Sequence, residues 1–199
     1  MGIAIYDFGC GPVPAHQHHN GGGWVADTAR VASTVFVGRN ATVSGDAMIT
    51  GFATVTGNAV VSDGATVKDN VMITGDARVA GHAVVSGNAT ITGNATITGD
   101  AWVIDSANVS DYSKVSDRAT VSGDARVSGY AIISGDAMIT GSAWIAGNAT
   151  ITGDAMITGK AVVSGCAMVS DYAKVTGDAV VKGRTVFEGR VTVTDGDWQ

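Results

Sequence analysis

The sequence predicts an all-β chain in which one short strand and one corner recur along almost its whole length, a parallel β-solenoid. Three observations predict it. The unit G-[ND]-A-x-[IV]-[ST] runs through "GNATITGNATITGDAW", residues 87–102. It keeps its phase without insertion from Ala29 to Val191. No stretch of useful length carries a 3.6-residue apolar period, so no helix is expected.

With Ala89 as phase zero, steps of six meet Ala at nearly every position, the exceptions being Val35, Val71, Ser113, Thr185 and Val191. Two residues further on the side chain is β-branched at every step, with Phe187 the single substitute. Small-apolar, variable, large-apolar, polar is the alternation of a half-buried strand. The two residues that follow are, apart from Ser33 and Arg39 in the first two hexads, Gly or Asp and then usually Asp, Asn, Gly or Ser, types that tolerate the positive φ of a sharp corner. A strand this short cannot stand alone, so each must stack on its equivalent in the next coil, about 4.8 Å away. The expected interior is a column of Val and Ile, with Ala in the narrow positions beside the corners.

The pattern [IV]-[ST]-[GD]-[DN]-A-x resembles that of the hexapeptide-repeat proteins, the trimeric acyltransferase-like superfamily that also includes the γ-class carbonic anhydrases. The resemblance covers residues 24 to 194. It implies a single-domain left-handed parallel β-helix with three-sided coils, whereas the general rule for parallel crossovers is right-handed. Three hexads per coil would give about nine coils and a rod of ~45 Å. Residues 1–23 then form an N-terminal capping arm, 24–194 the β-helix, and 195–199 a C-terminal tail or cap. Within the superfamily, "HHNGGGWVADTARV" (18–31) followed by unbroken hexads looks like a group of bacterial and bacteriophage repeat proteins.

Composition fits this reading. The 199 residues include 28 Gly and two Pro, a glycine excess that many corners require, and the regular spacing argues against disorder. No apolar run approaches the ~18 residues of a membrane span, and "MGIAIYDFGCGP" lacks the basic start and long apolar stretch of a signal peptide. The expectation is a chain with no membrane association, cytoplasmic or carried on a phage particle. A net charge of −6 with basic residues scattered argues against nucleic acid, which needs a basic stripe to displace counterions. Cys10 and Cys166 are expected to be free thiols.

The arm concentrates Cys10, His16, His18 and His19, all zinc-type ligands. Their spacing follows no finger pattern, and Gly-rich arms often fold back as caps. Capping is the preferred reading and metal binding the alternative. Ile3, Ile5, Phe8 and Trp24 at one end, and Phe187 and Trp198 at the other, are expected to close strand edges that would otherwise invite aggregation.

The resemblance also implies where a catalytic residue would lie. Acyltransferases of this superfamily usually place a His at a subunit interface, on or near a loop that interrupts the hexads, and no loop interrupts them here. The one His within the repeat, His82, replaces Asp or Asn in a corner "GHA". The carbonic anhydrase likeness needs three His ligands on neighbouring coils and also fails. The glycines sit at corners and form no phosphate loop before a helix. The reading therefore leans away from an enzyme and calls for no cofactor, since fold alone confers no function. An enzyme dependent on coenzyme A or an acyl carrier is the alternative.

The outward position between Ala and Val or Ile separates into three faces when read every 18 residues. The first runs from Arg30 through Met48, Val84, Trp102, Met138 and Met156 to Thr192, the second from Phe36 through Met72, Asn108, Arg126 and Trp144 to Val180, and the third from Thr42 through Arg78, Lys114 and Ile132 to Val186. Contiguous exposed apolar groups mark contacts, so Trp102, Ile104, Met138 and Met156 are the candidate oligomer interface, a homotrimer by analogy with the superfamily. Thr-x-Thr pairs fall on different faces and make no ladder of the kind that binds ice. Tyr112 and Tyr130 occupy one corner a coil apart, near Asn94 and Asn148. With Trp144 they are candidate contacts for a sugar, a small molecule or a protein. The expected function is a non-enzymatic solenoid scaffold or binding protein, a phage structural or accessory component, that holds a partner or small ligand between protomers. A carbohydrate-binding phage component is a further alternative.

Overall fold

The structure, a computed structural model, describes residues 4–199. Its regular elements are all strands, one for each hexad with a few more at the two ends, and mostly two residues long. Each hexad strand pairs in parallel with its equivalent 18 residues away, as in Thr42↔Val60 and Val60↔Arg78. Three hexads therefore make one coil, and the chain winds as a three-sided solenoid. The third face carries a sheet of twelve strands and the other two faces ten each. That is about one layer more than the hexads alone supply. Trp24–Ala26 precedes the first counted hexad, and Asp197–Trp198, which pairs with Val180–Val181, follows the last.

The inward columns are sealed. From Ala41 to Val181 the phase-zero and β-branched positions are buried almost without remainder. Removing a Val or Ile side chain from water contributes about 1.5–3 kcal/mol, which explains why two-residue strands persist in so regular a stack. Exceptions to Ala are accommodated locally. The Ser113 hydroxyl, buried in the core column, donates to the Ser110 carbonyl at 2.6 Å, and the Thr185 hydroxyl makes the same bond to Lys182 at 2.8 Å. A buried hydroxyl without a partner would cost about 1–3 kcal/mol.

Corners stack as closely as strands do. The Asn58 N–H donates to the Gly75 carbonyl at 2.7 Å, so the backbone ladder continues around the bend. Gly51 has φ +77°, and a Cβ there would stand 2.6 Å from the Asp69 nitrogen of the next coil. Glycine is thus required twice, for its dihedral and for the approach. Where Asp takes the place, at 63, 69, 105, 111, 117 and 171, φ is likewise positive. In all six cases the carboxylate accepts a hydrogen bond at 2.9–3.0 Å from the N–H of a corner glycine one coil later. That bond offsets the cost of a left-handed non-glycine residue.

The arm forms a hairpin of β1 (Ile5–Asp7) and β2 (Pro12–Gln17), closed by Asp7, whose carboxylate accepts from the N–H groups of Gly9 and Gly11. Strand β2 pairs antiparallel with β3 (Trp24–Ala26), with Ala15 opposite Ala26, and so covers the first edge of the third sheet. Asn20 and Gly23 bond the backbone of Val35 and Val37, covering the first edge of the second sheet. The first sheet ends at Arg30–Val31. Of the apolar groups expected to close this end, Ile3 lies outside the described residues and Ile5 is 63% exposed. Alternation along β1 turns Tyr6 toward the rod instead, stacked on Trp24 with centroids 4.7 Å apart and edge-on to Phe8 at 4.8 Å. At the far end Phe187 is half-buried against the core, with the exposed Trp198 edge-on at 5.7 Å.

Candidate functional site

With the core column filled, function has to reside on the outward positions and corners. Strand geometry turns alternate side chains outward, and stacking brings each outward residue beside its neighbours 18 residues away. On the first face Trp102 pairs with Val84 and Thr120, and Thr120 with Met138, which pairs with Met156. Trp102 is 50% exposed and Met138 41%, while Ile104 and Met156 are half-buried. Over these five layers, from Val84 and Ser86 to Met156 and Thr158, neither outward column holds a charged residue. The second face is interrupted by Arg126 and the third by Arg78 and Lys114.

On the second face, Tyr112 and Tyr130 stack at their corner with centroids 5.0 Å apart and planes 7° from parallel. This spacing is that of the coils themselves. Trp144 is half exposed on the same face, and its indole N–H donates to the Ser128 hydroxyl at 3.3 Å, beside the Tyr130 corner. On its other side lies a groove of about 660 Å³ lined by Ser106, Asn108, Asp124, Arg126, Ser142, Trp144, Lys160 and Val162. Sorting only the outward columns of the sequence found Trp144 but missed the groove. Ser106, Asp124, Ser142 and Lys160 belong to the adjoining corner column, and the same 18-residue sorting of corners would have aligned them.

A second groove of about 500 Å³ lies between the hairpin, with Phe8 and Cys10 in its loop and Val13 on β2, and the third face and its corner, with Ser44, Val60, Asp63 and Arg78. Cys10 is an exposed thiol in that loop, as is Cys166 at its distant corner. His16 is held by Asp27, Nδ1 to Oδ1 at 2.8 Å, and the buried His18 lies against the carbonyl of Asn20. His18 and His19 have ring centroids 4.7 Å apart. Among the described residues no three His, Cys, Asp or Glu side chains converge on a point where a metal ion would sit.

His82 occupies an exposed corner, and its ring sits where a side chain on Gly64, one coil earlier, would collide with it at 2.6 Å. In the same corner column Arg118 donates to Asp136 at 2.5 Å. This hydrogen bond, and then the Asp136 charge, raises the Arg118 pKa above its ordinary value. Arg118 is a cation throughout the working range either way.

Comparison with known proteins agrees with the repeat. Residues 114–129 and 131–147 match the YdcK beta solenoid repeat. No curated protein matches the chain. Among solved structures it is similar to the UDP-N-acetylglucosamine acyltransferase of Francisella novicida, at 16% identity and TM-score 0.40, over 85% of this chain and 62% of that one. The corresponding O-acyltransferase of Moraxella catarrhalis aligns at 12% identity and TM-score 0.45, covering 82% and 64%. That of Campylobacter jejuni aligns at 16% and 0.39, covering 84% and 66%. This chain spans less than two thirds of the length of each. The chain is a β-solenoid in which two consecutive segments match the YdcK beta solenoid repeat.

Proposed function

We propose that the protein is a non-enzymatic scaffold that assembles with copies of itself through its first face. The observation that carries this reading is the uncharged run from Val84 to Met156, with Trp102 and Met138 standing out of it. Five layers at about 4.8 Å span roughly 20 Å of rod. A flat strip of that length, apolar at its centre, has the anatomy of an interface core bounded by a polar rim. Arg30, Lys68 and Lys174 lie beyond it on the same face and serve as the rim. The occupant is a second copy because the strip repeats at the coil spacing, so a copy laid alongside meets the same columns at every layer. A ring of three, each subunit presenting the same face, is the closed assembly we favour.

The test is the double substitution Trp102→Asp, Met138→Asp. Both side chains point out of the solenoid, so the β circular-dichroism spectrum should be retained while light scattering shows the mass falling toward that of a single 20.0 kDa chain. An unchanged mass with an unchanged spectrum rules out the first face.

A further inference from the structure

The groove on the second face differs from the other outward surfaces in its chemistry. Pairing of Asn108 with Arg126, Arg126 with Trp144, and Trp144 with Val162 places its lining on four successive layers. The trough is therefore about 14 Å long, from a layer spacing of about 4.8 Å. Arg126 is one layer to one side of Trp144, and Lys160 enters from the corner one layer to the other. Two layers, about 10 Å, separate the two cations, the reach of a two-sugar unit with an anionic group at each end. Among the described residues neither Arg126 nor Lys160 makes an ion pair, and Asp124 makes none either.

Each of these features constrains the ligand. A half-exposed indole whose N–H is already engaged by Ser128 is an oriented platform for a ring with an apolar face. Unpaired guanidinium and ammonium groups call for anions, and the planar guanidinium suits a carboxylate. Asp124, Ser106, Ser142 and Asn108 supply acceptors and donors for hydroxyl groups, and the Asp124 carboxylate disfavours a ligand that is anionic throughout. Together they describe stacked, hydroxyl-rich rings bearing spaced carboxylates.

We propose that this groove binds an acidic oligosaccharide, with one pyranose ring stacked on Trp144 and carboxylates of neighbouring rings held by Arg126 and Lys160. All of its lining comes from one chain, so the site does not depend on assembly through the first face. Isothermal titration of the intact chain with a tetramer of uronic acid tests it, compared with a neutral glucose tetramer, tetraglutamate and inorganic phosphate. The uronate should bind, and the other three should bind at least about tenfold more weakly, the loss expected when charged hydrogen bonds or the stacking contact are missing. Trp144→Ala, and separately the double variant Arg126→Ala, Lys160→Ala, should each weaken uronate binding by about tenfold or more on the same grounds. Ile132→Ala on the third face should leave it unchanged. All these side chains point outward, and a retained β spectrum confirms the fold of each variant. The proposal is overturned if the neutral tetramer, tetraglutamate or phosphate binds as well as the uronate, if uronate binding survives both sets of substitutions, or if no uronate binding is measured.

Discussion

At the residue scale, the corner explains most of the composition. From Gly45 to Gly189 its first position has a left-handed dihedral and close approach to the next coil, which restricts it to Gly, or to Asp where the carboxylate can reach the following corner. Gly51→Ala should accordingly destabilise the rod by about 1–3 kcal/mol, the cost of forcing a side chain into a left-handed, crowded site. Denaturant midpoints measure this. Asp63→Ala keeps the unfavourable dihedral and loses the bond to the Gly81 N–H, so it too should destabilise, whereas Asp63→Gly should cost less. His82→Asn should leave the midpoint unmoved, because Asn already fills the second corner position at Asn58, Asn88 and Asn94. A large shift in that variant would mean that His82 has a role its corner placement does not explain.

At the scale of the element, the strand is legible in the sequence because its alternation repeats with the corners, and every large inward side chain from Ile49 to Val181 lies where that alternation puts it. Ile97→Ala, in the middle of the inward column, should cost about 2–5 kcal/mol through the cavity it leaves. The arm was less legible. Lacking a repeat, it gave no register, so Ile5 was expected inside when the pairing of β1 with β2 turns Tyr6 inward instead. Deletion of residues 1–22 removes β2 from β3 and Asn20 from Val35 and Val37. Size-exclusion chromatography should then show end-to-end association through the exposed strand edges. An unchanged elution position would mean that the arm does not protect this end.

At the scale of the whole molecule, the period that builds the fold also sorts its surface. Eighteen residues per coil turn a one-dimensional sequence into columns, so the uncharged strip around Trp102 could be read before any coordinates. The groove beside Trp144 could not be read from the outward positions alone, since half its lining comes from a corner column. Affinity between copies is hardest to read of all, because it depends on how two rods fit and not on either one. The most direct measurement is site-directed cross-linking on the first face. A single cysteine at Thr120, between Trp102 and Met138 in the strip, would be introduced with Cys10 and Cys166 replaced by Ser and treated with a short bifunctional maleimide. A matched cysteine at Thr90 on the second face is the control. Assembly through the first face should give efficient cross-linking between copies from position 120 and little from position 90. Equal cross-linking from both positions, or none from position 120, would contradict it.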